Sequence, residues 1–181
     1  MAAVPRIPRI RSGRVEEAHP ESAEWAFVDL GFAGDGKKTS CLLVADGDPR
    51  LYTFAGLIAV LKSMLAEEDG PLNLVLEAPL SVAFSKDGNP VGRAIEKRGG
   101  QTRYWYVGLG CSVLTSAMYF LKELAESPSA REIRLFEGFV SFKPKNMASD
   151  HNADVLRLRD VICARHKLAA CRFTHQLVRQ H

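Results

Sequence analysis

Two acids in this chain stand where an acid is costly. Asp29 falls in Trp25-Ala26-Phe27-Val28-Asp29-Leu30-Gly31, and Glu77 closes Leu72-Asn73-Leu74-Val75-Leu76-Glu77. Each is a lone carboxylate at the end of what reads as a buried strand. An ionised carboxylate taken out of water is unfavourable unless another charge or a metal ion pairs with it. The chemistry suited to such acids is the holding of a hard cation through oxygen ligands. A further pair, Asp150 and Asp154, is spaced by four, which puts both on one face of a helix with His151 beside them. Plainer alternatives stand next to each residue. Asp29 can begin an Asp-Leu-Gly turn, Glu77 can end an exposed strand before Ala78-Pro79, and Asp150 can simply cap its helix. His151 is expected to be a solvated residue at the helix start.

Other residue sets carry weaker chemistry. Arg93, Lys97, Arg98 and Arg103 surround Tyr104-Trp105-Tyr106, and basic side chains interleaved with aromatics suit backbone contact plus base stacking on a nucleic acid. The alternative has Trp105 and Tyr106 packed against the sheet and the arginines solvated. Lys143 and Lys145 offer point charges for a phosphate or are surface loop. Cys163, His166, Cys171 and His175 have zinc-like residue types, but on a continuous helix they spread around about half its circumference, so no zinc site is expected. The glycines at 99, 100, 108 and 110 precede no Gly-Lys-Ser/Thr and do not make a phosphate loop. Serine and cysteine nucleophile signatures are absent.

The elements that must position these side chains follow from pattern. Residues 25–33 and 38–45 read as a hairpin, and Asp46-Gly47-Asp48-Pro49 turns into a short strand over 50–54. Leu57, Ile58, Val60, Leu61, Met64 and Leu65 recur at helical spacing before Asp69-Gly70-Pro71 stops the helix, and the Glu77 strand follows. Asn89 and Pro90 suggest the start of a short helix over 90–98, and Ser112 that of a longer one ending before Pro128. A fifth strand is expected over 133–142, then a helix over 151–168 and a last helical piece toward the C-terminus. The order predicts a mixed five-stranded sheet flanked by helices, an α/β fold.

Composition bounds the rest. The 181 residues, 46% hydrophobic and 25% charged, suit a single domain with a full core. Residues 1–22, rich in proline and charge, are expected to be a flexible arm, and 23–181 the domain with its C-terminal helices. A net charge of +3 permits a polyanionic partner without requiring one. Four scattered cysteines without a Cys-x-x-Cys pair point to a reduced, cytoplasmic compartment. No apolar run has the length of a signal peptide or a membrane span, so no membrane association is expected. The oligomeric state is not legible.

With these motifs in place the chain resembles the uncharacterised predicted ribonuclease H-like nucleases, distant relatives of the RuvC-type resolvases. The resemblance runs through Val28-Asp29-Leu30-Gly31, Leu76-Glu77-Ala78-Pro79-Leu80, the stretch Gly88 to Gly110, Leu135 to Phe142 and Asp150-His151-Asn152-Ala153-Asp154, covering most of residues 25–165. It implies a ribonuclease H-like fold and a divalent-metal nuclease using Mg2+ or Mn2+. Hydrolysis of a phosphodiester would follow a two-metal mechanism. It also implies that Asp29, Glu77 and Asp154 are catalytic metal ligands, with Asp150 as an alternative helical ligand and Glu137 as a fourth ligand or a supporting group. Arg93, Arg103, Trp105 and Lys143 would then contact RNA or DNA. One departure is the bulky and basic Val155-Leu156-Arg157, where small residues are expected beside the helical acid. The first strand lacks the Asp-x-Glu pair of proofreading exonucleases, which favours an endonuclease. The rival from another class is a catalytically inactive binding or assembly module of the same fold. A sugar- or acetate-kinase-like phosphotransferase needs two lobes, and this length supplies one.

Overall fold

A computed structural model of the chain describes residues 9–31, 36–45, 47–67, 69–98, 100–102, 107–140 and 150–167. The main sheet contains β1 (Arg9–Ser12), β2 (Glu24–Asp29), β3 (Ser40–Val44), β4 (Arg50–Tyr52), β5 (Leu72–Glu77) and β10 (Glu132–Glu137). Helix α1 (Phe54–Glu67) precedes β5, α2 (Leu109–Ala125) precedes β10, and α3 (His151–Lys167) follows it. Two small antiparallel pairs lie between β5 and α2: β6 (Ala83–Phe84) with β7 (Pro90–Val91), and β8 (Lys97–Arg98) with β9 (Gln101–Thr102).

The sheet is six-stranded, in the order β1-β10-β5-β2-β3-β4. Strands β1, β10, β5 and β2 run parallel, while β3 and β4 pair antiparallel to their neighbours. It is thus a mixed α/β sheet with helices on both faces, as expected, but with one strand more. The extra strand comes from the segment expected to be an arm. Ile10 packs against the core, and Arg11 pairs with Glu17 at 2.6 Å and Glu132 at 2.8 Å, so charges that looked solvated in sequence have partners across the fold. Turns at Val15–Glu17 and Pro20–Ser22 then lead into β2, and the Trp25 indole donates to His19 O. Residues 1–8 lie outside the described residues.

Strand alternation sorts the core into two layers. Ala26, Val28, Leu42, Leu72, Leu74, Leu76 and Ile133 face α1 and α2. Trp25, Phe27, Cys41, Leu43, Val75 and Phe136 face α3, which contributes Val155, Leu158 and Ile162. Each fully buried aliphatic or aromatic side chain stabilises the fold by about 1.5–3 kcal/mol before entropy is counted. Helix α1 starts where Thr53 Oγ1 accepts the Gly56 amide at 3.0 Å, and it buries Leu57, Ile58, Leu61 and Leu65 at the spacing of one stripe.

Several boundaries differ from expectation, among them the strand expected over 25–33, which ends at Asp29, and the strand expected over 133–142, which runs Glu132–Glu137. Residues 90–98 do not form a helix: β7, a turn at Ala94–Glu96 and β8 occupy them. The Asn89-Pro90 signal serves a hairpin instead, with Ser85 donating its amide to Asn89 O and Gly88 at φ 79°. Helix α2 begins at Leu109, preceded by Gly108 at φ 58°, rather than at a Ser112 cap. The expected helical piece beyond 168 lies outside the described residues. Among the described residues no helix is long and apolar enough to cross a membrane.

Candidate metal centre

Strands β2 and β5 are parallel neighbours whose register pairs Asp29 with Glu77. Paired residues of adjacent strands project to the same face, about 4.8 Å apart. Both acids follow residues of the α3-facing layer by two, Phe27 and Val75, so both project toward α3. They also stand at the C-terminal ends of parallel strands, where open α/β sheets place their ligands. Gly31 makes room for the return to β3: a Cβ there would lie 1.9 Å from Thr39 O. Asp29 therefore ends β2, and Gly31 just beyond it lies against the residue that leads into β3.

The third acid comes from α3. Asp150 Oδ1 accepts the amides of Asn152 and Ala153, each at 3.1 Å, and so caps the helix. Asp154, one turn further, is 1% exposed and faces the sheet. Ligand oxygens of Asp29, Glu77 and Asp154 all lie within 4.8 Å of one another, the one such group of three among the described residues. Asp154 is thus the helical member and Asp150 is not, which corrects the expectation that left both open. The bulky residue after Asp154 has a packing reason, since Val155 is fully buried in the α3-facing core.

His151 is not the solvated residue expected. Its Nδ1 lies 2.6 Å from Asp29 Oδ2, and its side chain is partly buried. The sequence signal was available: residues 151 and 154 are three apart at the start of one helix, so an acid that faces the sheet brings that histidine with it. Cys41, paired with Asp29 in the β2–β3 register, donates its thiol to Asn152 Oδ1 at 3.2 Å and ties the first turn of α3 to the sheet. Burial, followed by the negative charge of Asp29, pushes that thiol up to about 11. Arg157 reaches Asp154 Oδ1 at 3.5 Å.

Glu137 does not join this group. It follows Phe136, which faces α3, and so turns to the opposite layer with Ile133 and Leu135. There its carboxylate sits in the guanidinium fork of Arg93, at 2.7 and 2.9 Å, with Ser81 Oγ at 3.1 Å. Arg93 also donates to Glu96 at 2.8 Å and is 5% exposed. A buried arginine committed to two carboxylates is not an open contact for a phosphate, which corrects its expected role in nucleic-acid binding. This ion pair fixes the 81–96 segment onto the end of β10. Arg103, Trp105 and Lys143 lie outside the described residues, as do Cys171 and His175.

The donor set is chemically specific. Three carboxylates offer hard oxygen ligands, the type taken by magnesium or manganese, whereas stable zinc sites favour nitrogen and sulfur. Like charges this close in a buried setting repel, and a bound cation relieves that repulsion. Comparison with protein-family models and with curated proteins finds no match for this sequence.

Proposed function

We propose that this protein is a divalent-metal-dependent nuclease of ribonuclease H-like type, hydrolysing phosphodiester bonds in nucleic acid. The observation that carries the proposal is the convergence of the Asp29, Glu77 and Asp154 oxygens within 4.8 Å, from two adjacent parallel strand ends and the first turns of a helix. The strand directions around β2 and the helix-borne acid also support the ribonuclease H-like assignment.

Asp29, Glu77 and Asp154 would hold Mg2+ or Mn2+. Divalent cations in such a site stabilise the charge that builds on phosphate oxygens and lower the pKa of the attacking water. The chain's own residues do the rest. Rigid strand ends hold two ligands in register, and the Asp150 cap with the Cys41–Asn152 bond fixes the angle at which α3 delivers the third. His151 holds Asp29 Oδ2, fixing the orientation of that carboxylate as an outer partner does for a metal ligand.

The test is cleavage of single-stranded, duplex and hybrid oligonucleotides in manganese by the parent protein and by Asp29→Asn, with folding of both checked by thermal melting. The proposal expects cleavage by the parent and its collapse in the folded variant. An inactive parent whose melting temperature does not rise with manganese would favour a binding module instead.

A further inference from the structure

Arg157 follows Asp154 by three on α3, so the two side chains are neighbours on the helix surface. Their environments differ sharply. The Asp154 side chain is 1% exposed, while that of Arg157 is 52% exposed, with one Nη 3.5 Å from Asp154 Oδ1. That separation is longer than the roughly 2.7–2.9 Å of a charge-assisted hydrogen bond. The contact offsets charge, but the planar fork of the guanidinium is not spent on the carboxylate. An arginine half in solvent beside a buried acid group is thus placed to change partner without being desolvated anew.

We propose that Arg157 is the phosphate-binding arginine of this site. While the carboxylates hold no cation it offsets the charge of Asp154, and when they hold one it turns its fork to a phosphodiester oxygen of the substrate. The inference rests on the nuclease proposal and adds to it the group that recognises the nucleic-acid backbone. A cation on Asp154 both replaces the positive charge that Arg157 supplied and repels the guanidinium. A phosphate offers two oxygens at the spacing of that fork, which lysine cannot match. The basic residue that departs from the expected small side chain at this point of the helix thereby acquires a role.

The experiment uses the full chain with Arg157→Gln and Arg157→Lys, each verified as folded by thermal melting. Manganese binding is titrated on the protein alone. Binding of fluorescent single-stranded, duplex and hybrid oligonucleotides is followed in calcium over a range of salt, in samples checked to remain uncut. In Arg157→Gln, manganese should bind about fivefold tighter, the scale of losing a partly exposed ion pair. The preferred oligonucleotide should bind on the order of tenfold more weakly, with the slope of log K against log salt shallower by about one. Arg157→Lys should restore the slope but not the full affinity. An unchanged manganese affinity or an unchanged salt slope in Arg157→Gln overturns the proposal. A parent protein that binds both probes while Arg157→Gln behaves identically removes this inference alone, whereas a parent that binds neither removes the nuclease proposal with it.

Discussion

Charged side chains crowd together at two places on the same sheet, and the two crowds are built on opposite plans. At the β1–β10 edge, Glu17 and Glu132 are met by three arginines: Arg11 at 2.6 and 2.8 Å, Arg14 at 3.2 Å from Glu17, and Arg134 at 3.4 and 2.9 Å. Every short contact there joins an acid to a base. At the C-terminal ends of β2 and β5, acid converges on acid, with Asp29, Glu77 and Asp154 inside 4.8 Å. The first arrangement lowers the energy of the chain as it stands. The second sets three acids against one histidine and one half-exposed arginine, a balance that a bound cation would complete, and that is how a binding site differs from a structural network.

The largest effect expected from this contrast is on activity. Asp29→Asn and Asp154→Asn should lower manganese-dependent cleavage by more than the roughly 10- to 100-fold typical of losing an outer partner of a ligand. In a chelator the sign on stability reverses between the two regions. Glu77→Gln, which removes one of three converging charges, should raise the unfolding free energy by about 1 kcal/mol. Glu17→Gln should lower it by about 2–3 kcal/mol, because it strips a charged partner from Arg11 and Arg14. Urea denaturation measures both, and a loss of stability in Glu77→Gln would break the comparison.

Acid titration sharpens it. The Arg11 hydrogen bond, with further help from Arg14 and Arg134, holds the Glu17 carboxyl well below its ordinary 4.5. A depressed folded value means that the contribution is complete above 4.5 and drains away as pH falls from there toward the folded value. The parent protein should therefore lose stability relative to Glu17→Gln across that window, by convergence of their urea midpoints. Next in size, His151→Gln should reduce cleavage by about 10- to 100-fold, the cost of freeing a ligand's orientation, while Asp150→Ala acts only through the helix cap at about 1 kcal/mol. The smallest effect concerns thiols. With its thiol near 11, Cys41 is roughly one part in a thousand thiolate at pH 8, so labelling should reach exposed Cys111 well before it.

How much of this was legible depends on whether the deciding physics is local. The α1 stripe, the strands around Asp29 and Glu77 and the extent of α3 follow from period and punctuation, because each is set by residues a few positions apart. Asp29 and Glu77 stood out for the same reason: a carboxylate ending an apolar run is anomalous wherever the run goes. The strand at 9–12 was hidden, since its arginines find their acids at positions 17 and 132, and composition counts charges without their partners. Glu137 was misread as a ligand because a single residue of register decides which face of β10 it occupies, and that register is set by β5. Arg93 read as a surface cation for the same want of distant partners. Sequence by itself determined which acids are out of place and which helix carries the third. Only the tertiary structure decided that Asp154 rather than Asp150 turns inward, that His151 comes with it, and that the three carboxylates share one volume, because those outcomes depend on how α3 is seated across the sheet.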